Sequence, residues 1–324
     1  INKVNSLYNE VLEQFNEVIT FFELITLISF MYFRDLNPDY IIYEVGLGGR
    51  LDATNIVQPI IGAITSISYD HMGVLGDTLE LIALEKLGIV KEKMPLVTAV
   101  NNETLIPIFE HYTNKRHSEL TVLNRDLITD IDYSKYTNFK YKDVEYKIAM
   151  LGTHQVSNAS LAIEIIHQLE KRNLIKVDLP ALKAGLLNTY WPGRMEQFGK
   201  VYLDGAHNVG GAEALRDTIQ TIFKDKHIKV LFTSMADKEY FDVISTLDPV
   251  VDEIYFTDFD YVRCESAEEL YNICTSSISP NHSKKFIMKD SINALKTLRT
   301  TLQKNEILIV TGSLYFISYI RKEL

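Results

Sequence analysis

The chain has 324 residues, 46% of them hydrophobic and 23% charged, an ordinary globular composition with length for two domains. A net charge of −10 argues against nucleic acid as the main partner, because a phosphate-binding surface needs a basic stripe and none is visible. The nearest approach to a membrane span, FFELITLISFMYF, is too short and is broken by Glu23.

The chain begins at Ile1, already inside the amphipathic pattern NSLYNEVLEQFN, which reads as a helix; the expectation is that a natural N-terminal segment precedes it. A helix is expected from Val18 to Phe33, with Asn37-Pro38 as its breaker. YIIYEVGL then reads as a short buried strand, IIGAITSISYDH as a second, TLELIALEKLGIV as a helix and MPLVTAV as a third strand. Strands alternating with helices imply a parallel sheet, whose ligands gather at the C-terminal strand ends. Residues 118–150 alternate differently, as an antiparallel patch, and VSNASLAIEIIHQLEK is a helix. NTYWPGRMEQFG, with the single Trp, reads as a linker. From Lys200 the alternation restarts, through KVYLDGAHN, VGGAEALRDTIQTIF, IKVLFTSM, VDEIYFTDF and EILIVTGSLYFISYIRKEL. The reading is an α/β protein: residues 1–190 as one domain with a mostly parallel sheet, 191–199 as a hinge, and 200–324 as a smaller Rossmann-like α/β domain. Cys264 and Cys274 have no partners at metal spacing and no signal peptide is recognised, so both read as reduced thiols of a cytoplasmic protein.

Four short stretches invite chemistry. In YEVGLGGRLDATN, Glu44 ends a strand beside Gly46, Gly48 and Gly49, a place where a carboxylate could hold a hard cation and the backbone could approach a bulky ligand. A tight turn with solvated charges at Arg50 and Asp52 explains the same residues equally well. In SISYDHMGVLG, His71 ends a neighbouring strand with Asp70 placed to orient its ring, although a lone histidine is commonly structural and magnesium prefers oxygen. Glu85 and Lys86 read as a solvated pair on a helix. In YLDGAHN, Asp204, Gly205 and His207 suit a ribose or phosphate, while Asn208 is an obvious helix cap.

In order along the chain, EVGLGGRLDATN, TSISYDHMGVLG, EKLGI, HQVSNASLA, WPGRMEQF, LDGAHN and TGSLYFISYIR closely resemble the folylpolyglutamate synthase and dihydrofolate synthase family of ATP-dependent Mur-type ligases, from about Thr20 to the C-terminus. The resemblance implies a Mur-ligase-like ATPase domain followed by a glutamate-ligase domain. It implies Glu44 and His71 as magnesium ligands, and Lys86 as a carbamylated lysine that helps hold metal. It implies Thr20, Leu51, Asp52 and Ala53 on the pterin side, and Asn158 on the adenine side. Arg194 would reach ATP, Asp204 would contact the nucleotide, and His207 would lie beside it. Lys86, Arg194 and His207 form the catalytic set. The expected cofactors are Mg2+ with ATP as substrate, K+ being a further candidate. The expected partners are small molecules (ATP, L-glutamate, dihydropteroate or folates), with no nucleic acid, no membrane and a monomeric state. A non-catalytic nucleotide- or folate-binding homologue and another Mur-type ligase are the alternatives; a nicotinamide dehydrogenase fails because no G-x-G-x-x-G follows a first strand. Leu87 stands where many relatives have alanine.

The family's phosphate loop, G-x-x-G-K-[ST], occurs nowhere in these residues. The 324 residues alone are therefore expected to show no ligase activity. ATP- and glutamate-dependent phosphate release from them would overturn that expectation.

Overall fold

The structure, a computed structural model, describes residues 6, 9, 13, 18–134, 136–238, 240–277 and 282–324. Except for residues 6, 9 and 13, the pattern NSLYNEVLEQFN lies outside the described residues. The chain forms two compact units. One takes the described residues up to Ile67 with His71–Thr121, and the other Ser68–Asp70 with Val122–Leu324.

In the first unit, helix α1 (Phe21–Leu36) starts at Thr20, whose hydroxyl and Glu23 form a reciprocal capping box, and ends at Asn37 in the left-handed conformation. The following run does not become the buried strand its composition suggested. Residues 40–45 belong to no strand, and Ile42 is 95% exposed. A strand needs a hydrogen-bonded neighbour, and no described strand pairs with this one. Its firmest contact is Tyr43, whose ring packs against Phe30 and Phe33 of α1. The next two predicted strands do form, as β1 (Gly62–Ile64) parallel to β2 (Leu96–Thr98), with β3 (Leu120–Val122) completing a three-stranded sheet. Between them lie the short α2 (Met72–Leu75), α3 (Leu79–Leu87), capped by Thr78, and α4 (Ile106–Lys115). Ile64, Leu87, Leu96 and Phe109 are central to this unit's core.

In the second unit, β4 (Ile128–Asp132), β5 (Thr137–Tyr141) and β6 (Val144–Ile148) form the expected antiparallel patch. Two helices follow, α5 (Thr153–Lys171) and α6 (Leu179–Asn188). A second sheet starts inside the segment read as a linker, where β7 (Glu196–Phe198) pairs antiparallel with β8 (Val201–Leu203). Helix α7 (Val209–Ile222), β9 (His227–Phe232), α8 (Tyr240–Leu247), β10 (Glu253–Asp258), α9 (Ala267–Ser277), β11 (Lys284–Asp290), α10 (Ser291–Thr301), β12 (Glu306–Thr311) and α11 (Leu314–Ile320) complete it. The six strands run in the order β11-β10-β9-β12-β8-β7, parallel except for β7, so the fold is α/β with mostly parallel sheets. Cys264 and Cys274 are both free thiols, and burial pushes the Cys274 thiol up to about 12, an unreactive state.

An ion pair anchors the far side of this sheet. The Asp248 and Lys285 side chains are 1% and 3% exposed and meet at 2.5 Å, with Ser283 also donating to the carboxylate. Burial alone would raise the Asp248 pKa, but the Lys285, Ser283 and His282 donors outweigh it and hold the carboxyl below its ordinary range. A depressed carboxylate contributes stability above its unfolded pKa and loses it as pH falls through the folded one. Lys285→Ala, which strands the charge, is expected to cost about 3–5 kcal/mol in denaturant unfolding at neutral pH. For Asp248→Asn, the deficit against wild type is expected to shrink as the pH drops below about 4.

Candidate active site

The glycine stretch of the first unit is a loop bolted onto the end of α3. The Arg50 amide donates to the Glu85 carbonyl at 2.8 Å, and its guanidinium grips the Glu85 carboxylate at 2.9 and 3.0 Å. Asn55 donates to the carbonyls of Arg50 and Gly88, and Lys91 closes the arrangement by donating to Asn55. Glu85 thus pairs with Arg50 across the loop. Lys86, half-buried in the last turn of α3, lies where the loop is fastened. Gly48 takes φ +68, and a Cβ on Gly49 would come within 2.9 Å of the Glu85 and Lys86 carbonyls. The glycines therefore serve chain-against-chain packing before any ligand arrives.

Asp52 organises the loop from within. One carboxylate oxygen accepts the Gly46 and Leu47 amides at 2.9 Å; the other accepts the Thr54 amide and hydroxyl and so caps a short 3-10 turn over Ala53–Ile56. Leu51, beside it, is 78% exposed. Thr20 is committed to capping α1, whose first turn packs Phe22 against Gly46. Glu44 is exposed and makes no hydrogen bond or ion pair with another described residue, the condition of an oxygen donor open to a cation. His71 is exposed at the start of α2. Among the described residues, no three His, Cys, Asp or Glu side chains cluster to hold a metal.

In the second unit, Asp204 ends β8 at 7% exposure. Its oxygens accept the Met195 and Ala206 amides at 3.0 Å. Burial pushes its pKa up, and His154, the two amides and Arg194 oppose that shift. His154 was passed over in the sequence, though it lies within the HQVSNASLA stretch. Burial lowers its pKa, Asp204 and Arg194 lie within electrostatic reach, and its Nδ1 is buried without a partner among the described residues. Its only signal in the sequence was its place at the start of a helix, after Gly152 and Thr153. Asn158 follows one turn along α5, exposed, with its amide donating to Gln155. His207 Nδ1 lies 2.8 Å from the Gly205 carbonyl, so the neutral ring donates there and leaves Nε2 as an acceptor. Asn208 caps α7 as expected and also donates to Asp70, which has Lys238 at 3.9 Å. A Cβ on Gly205 would lie 2.4 Å from Arg194 Nη1 and from Leu314 Cδ2, so this glycine leaves room for the arginine. The second unit therefore gathers Arg194, Asp204 and His154, and the first joins the glycine loop to the Lys86 helix.

Two Mur ligase domains match the chain: the Mur ligase middle domain over residues 3–166, and the Mur ligase glutamate ligase domain over residues 193–314. The chain is 38% identical over 318 residues to the dihydrofolate synthase/folylpolyglutamate synthase of Bacillus subtilis, covering 94% of this chain and 72% of that protein. It belongs to the dihydrofolate synthase/folylpolyglutamate synthase family. The Thermotoga maritima folylpolyglutamate synthase structure is similar, at TM-score 0.78 and 26% identity over 99% of this chain and 74% of that one. A Yersinia pestis bifunctional synthase, solved with AMPPNP and a manganese ion, shares the fold at TM-score 0.78 and 24% identity over 94% of this chain and 71% of that one.

Two substitutions separate packing from presentation. Gly49→Ala meets backbone oxygens that cannot swing away, and is expected to lower stability by about 1–3 kcal/mol in denaturant unfolding. Gly205→Ala meets only side-chain ends, and is expected to leave the melting temperature nearly unchanged while reducing turnover by displacing the Arg194 guanidinium.

Proposed function

We propose that this chain supplies the ATP- and acceptor-handling parts of a ligase that joins L-glutamate to dihydropteroate and to reduced folates. The observation that carries the reading is the fastening of the Gly46–Asn55 loop to the helix that bears Lys86, which makes one rigid piece of the stretch most specific to the family. Residues 1–190 act as the ATPase domain, 191–199 as the hinge and 200–324 as the glutamate-ligase domain. The protein works as a monomer in the cytoplasm; among the described residues no helix is long and apolar enough to cross a membrane.

In this mechanism the γ-phosphoryl group of ATP passes to the acceptor carboxylate, breaking its bond to the β-phosphate bridge oxygen and releasing ADP. The α-amino group of glutamate then attacks the acyl phosphate, loses a proton and expels phosphate as the amide forms. Magnesium, when bound, would supply positive charge to offset that of the transferring group, with K+ as a second cation. Glu44 and His71 would hold it, with Lys86 as a carbamate. Arg194 places a fixed cation where negative charge builds. His207, with Nδ1 committed to Gly205, offers Nε2 as the acceptor for the proton leaving the amine. Asn158 and Asp204 serve the nucleotide, Asp204 by shaping the backbone on either side. Thr20, Leu51, Asp52 and Ala53 serve the pterin, Leu51 by its exposed side chain and Asp52 by fixing the loop.

The test is glutamate-dependent product formation by the full-length enzyme with dihydropteroate, then with a reduced folate monoglutamate. Both acceptors are expected to work; no product from dihydropteroate where the folate reacts would leave polyglutamylation alone. Glu44→Gln should abolish metal-dependent turnover in a folded protein, and turnover within a few-fold of wild type would remove it from the metal site. Lys86→Ala should be nearly inactive and partly rescued by small carboxylic acids that replace the missing anion, whereas full activity without them would refute the carbamate.

A further inference from the structure

We propose that Glu196, clamped by Arg321 and Tyr190, is a positioning residue that presents Arg194 to the nucleotide; this rests on the reading of Arg194 given above. Arg194 sits on an unusual piece of backbone. Gly193 takes φ +70 and Met195, which is not a glycine, takes φ +47. A left-handed residue other than glycine, here Met195, persists only where the surroundings over-determine it. Here the restraints are visible. The Gly193 amide donates to Glu196 at 2.9 Å, the Met195 amide donates to Asp204 at 3.0 Å, and the Gly193 carbonyl accepts the Gly205 amide at 2.9 Å. The backbone on both sides of Arg194 is thereby pinned by two buried carboxylates. Among the described residues its guanidinium makes one hydrogen bond, a long 3.5 Å contact with the Gly193 carbonyl.

Asp204 belongs to the nucleotide site already described; Glu196 had no role. It is 7% exposed, and its charge is held in place from the far end of the chain. Arg321, just beyond α11, donates from Nε to both carboxylate oxygens at 3.0 Å, and its Nη2 lies 2.9 Å from Oε1. Tyr190 donates its hydroxyl to the same carboxylate and accepts from Arg321. Burial alone would raise the Glu196 pKa, but Arg321, Tyr190 and the Gly193 amide hold it below the ordinary range, so the carboxylate stays charged and keeps its grip on the amide. An ion pair that served stability alone could be exchanged for apolar packing at little loss. This one also fixes a backbone amide next to the arginine, which apolar packing cannot do.

The experiment compares Arg321→Met, Arg321→Lys, Arg194→Ala and the Arg194→Ala/Arg321→Met double variant in the full-length enzyme. It reads kcat and KM for ATP, the melting temperature, and the fluorescence anisotropy of Trp191, the chain's one tryptophan, which lies within the clamped segment. Arg321→Met is expected to lose roughly 10- to 100-fold in kcat/KM for ATP and to lower the Trp191 anisotropy. Arg321→Lys should recover part of the loss, and the double variant should be no worse than Arg194→Ala alone. Glu196→Gln, which keeps the shape and removes the charge, is read in the same way if Arg321→Met fails to fold. Arg321→Met within about twofold of wild type, beside an impaired Arg194→Ala, overturns the positioning role, as do additive losses that track a fallen melting temperature. An Arg194→Ala enzyme with wild-type kinetics overturns the reading of Arg194 itself, and the proposal with it.

Discussion

A carboxylate withdrawn from water must be given donors, and three acids of this chain take backbone amides of their own loops among those donors. Asp204 takes the Met195 and Ala206 amides, Asp52 takes those of Gly46, Leu47 and Thr54, and Glu196 takes that of Gly193. Each acid therefore dictates a loop conformation as the condition of its own burial. The loops so fixed carry Glu44, Leu51, Arg194 and His207. The chemistry proposed for this protein depends on that constraint more than on any one contact of the reacting groups.

The same constraint explains which parts of the sequence were legible. Strands alternating with helices announced the parallel sheets, and the helices starting at Thr78 and Asn208 were marked by residues whose side chains do cap them. YIIYEVGL misled because an apolar run says that a segment is suited to a sheet, not that a neighbouring strand is there to pair with it. Helices α4 and α6 went unread; each begins with a proline in its first turn, a residue that in sequence signals a break as readily as a start. Strand β7 was hidden inside an apparent linker, since Trp, Pro and Gly dominate its approach and its pairing with β8 is decided by the short turn that follows.

At the site, local spacing found the residue types and missed their partners. Glu85 looked like the companion of Lys86, its neighbour on α3, yet its carboxylate belongs to Arg50, 35 residues earlier. Glu196 looked like part of a polar connection, yet its counterion is Arg321, 125 residues later. Pairings over such separations leave no periodic trace. The burial of one acid, combined with an arginine elsewhere that has no obvious role, is the trace they do leave.

Both units use the same device. An acid near the end of an extended segment is followed by glycine, in EVGLGG and in LDGAHN, and in each case the glycine lets another part of the protein come close. At Gly49 it is the carbonyl end of the helix that carries Lys86; at Gly205 it is the guanidinium of Arg194. The Arg194 guanidinium is thus located by the packed backbone around it more than by hydrogen bonds of its own to other described residues. That arrangement suits a group whose partner is a ligand: its position is set beforehand, while its donors are not consumed by the protein. Arg194, whose one hydrogen bond among the described residues is a long one to the Gly193 carbonyl, shows it most directly. The acids hold the frame, the glycines admit the cation, and the cation's donors are left for the phosphate that the proposed function brings to it.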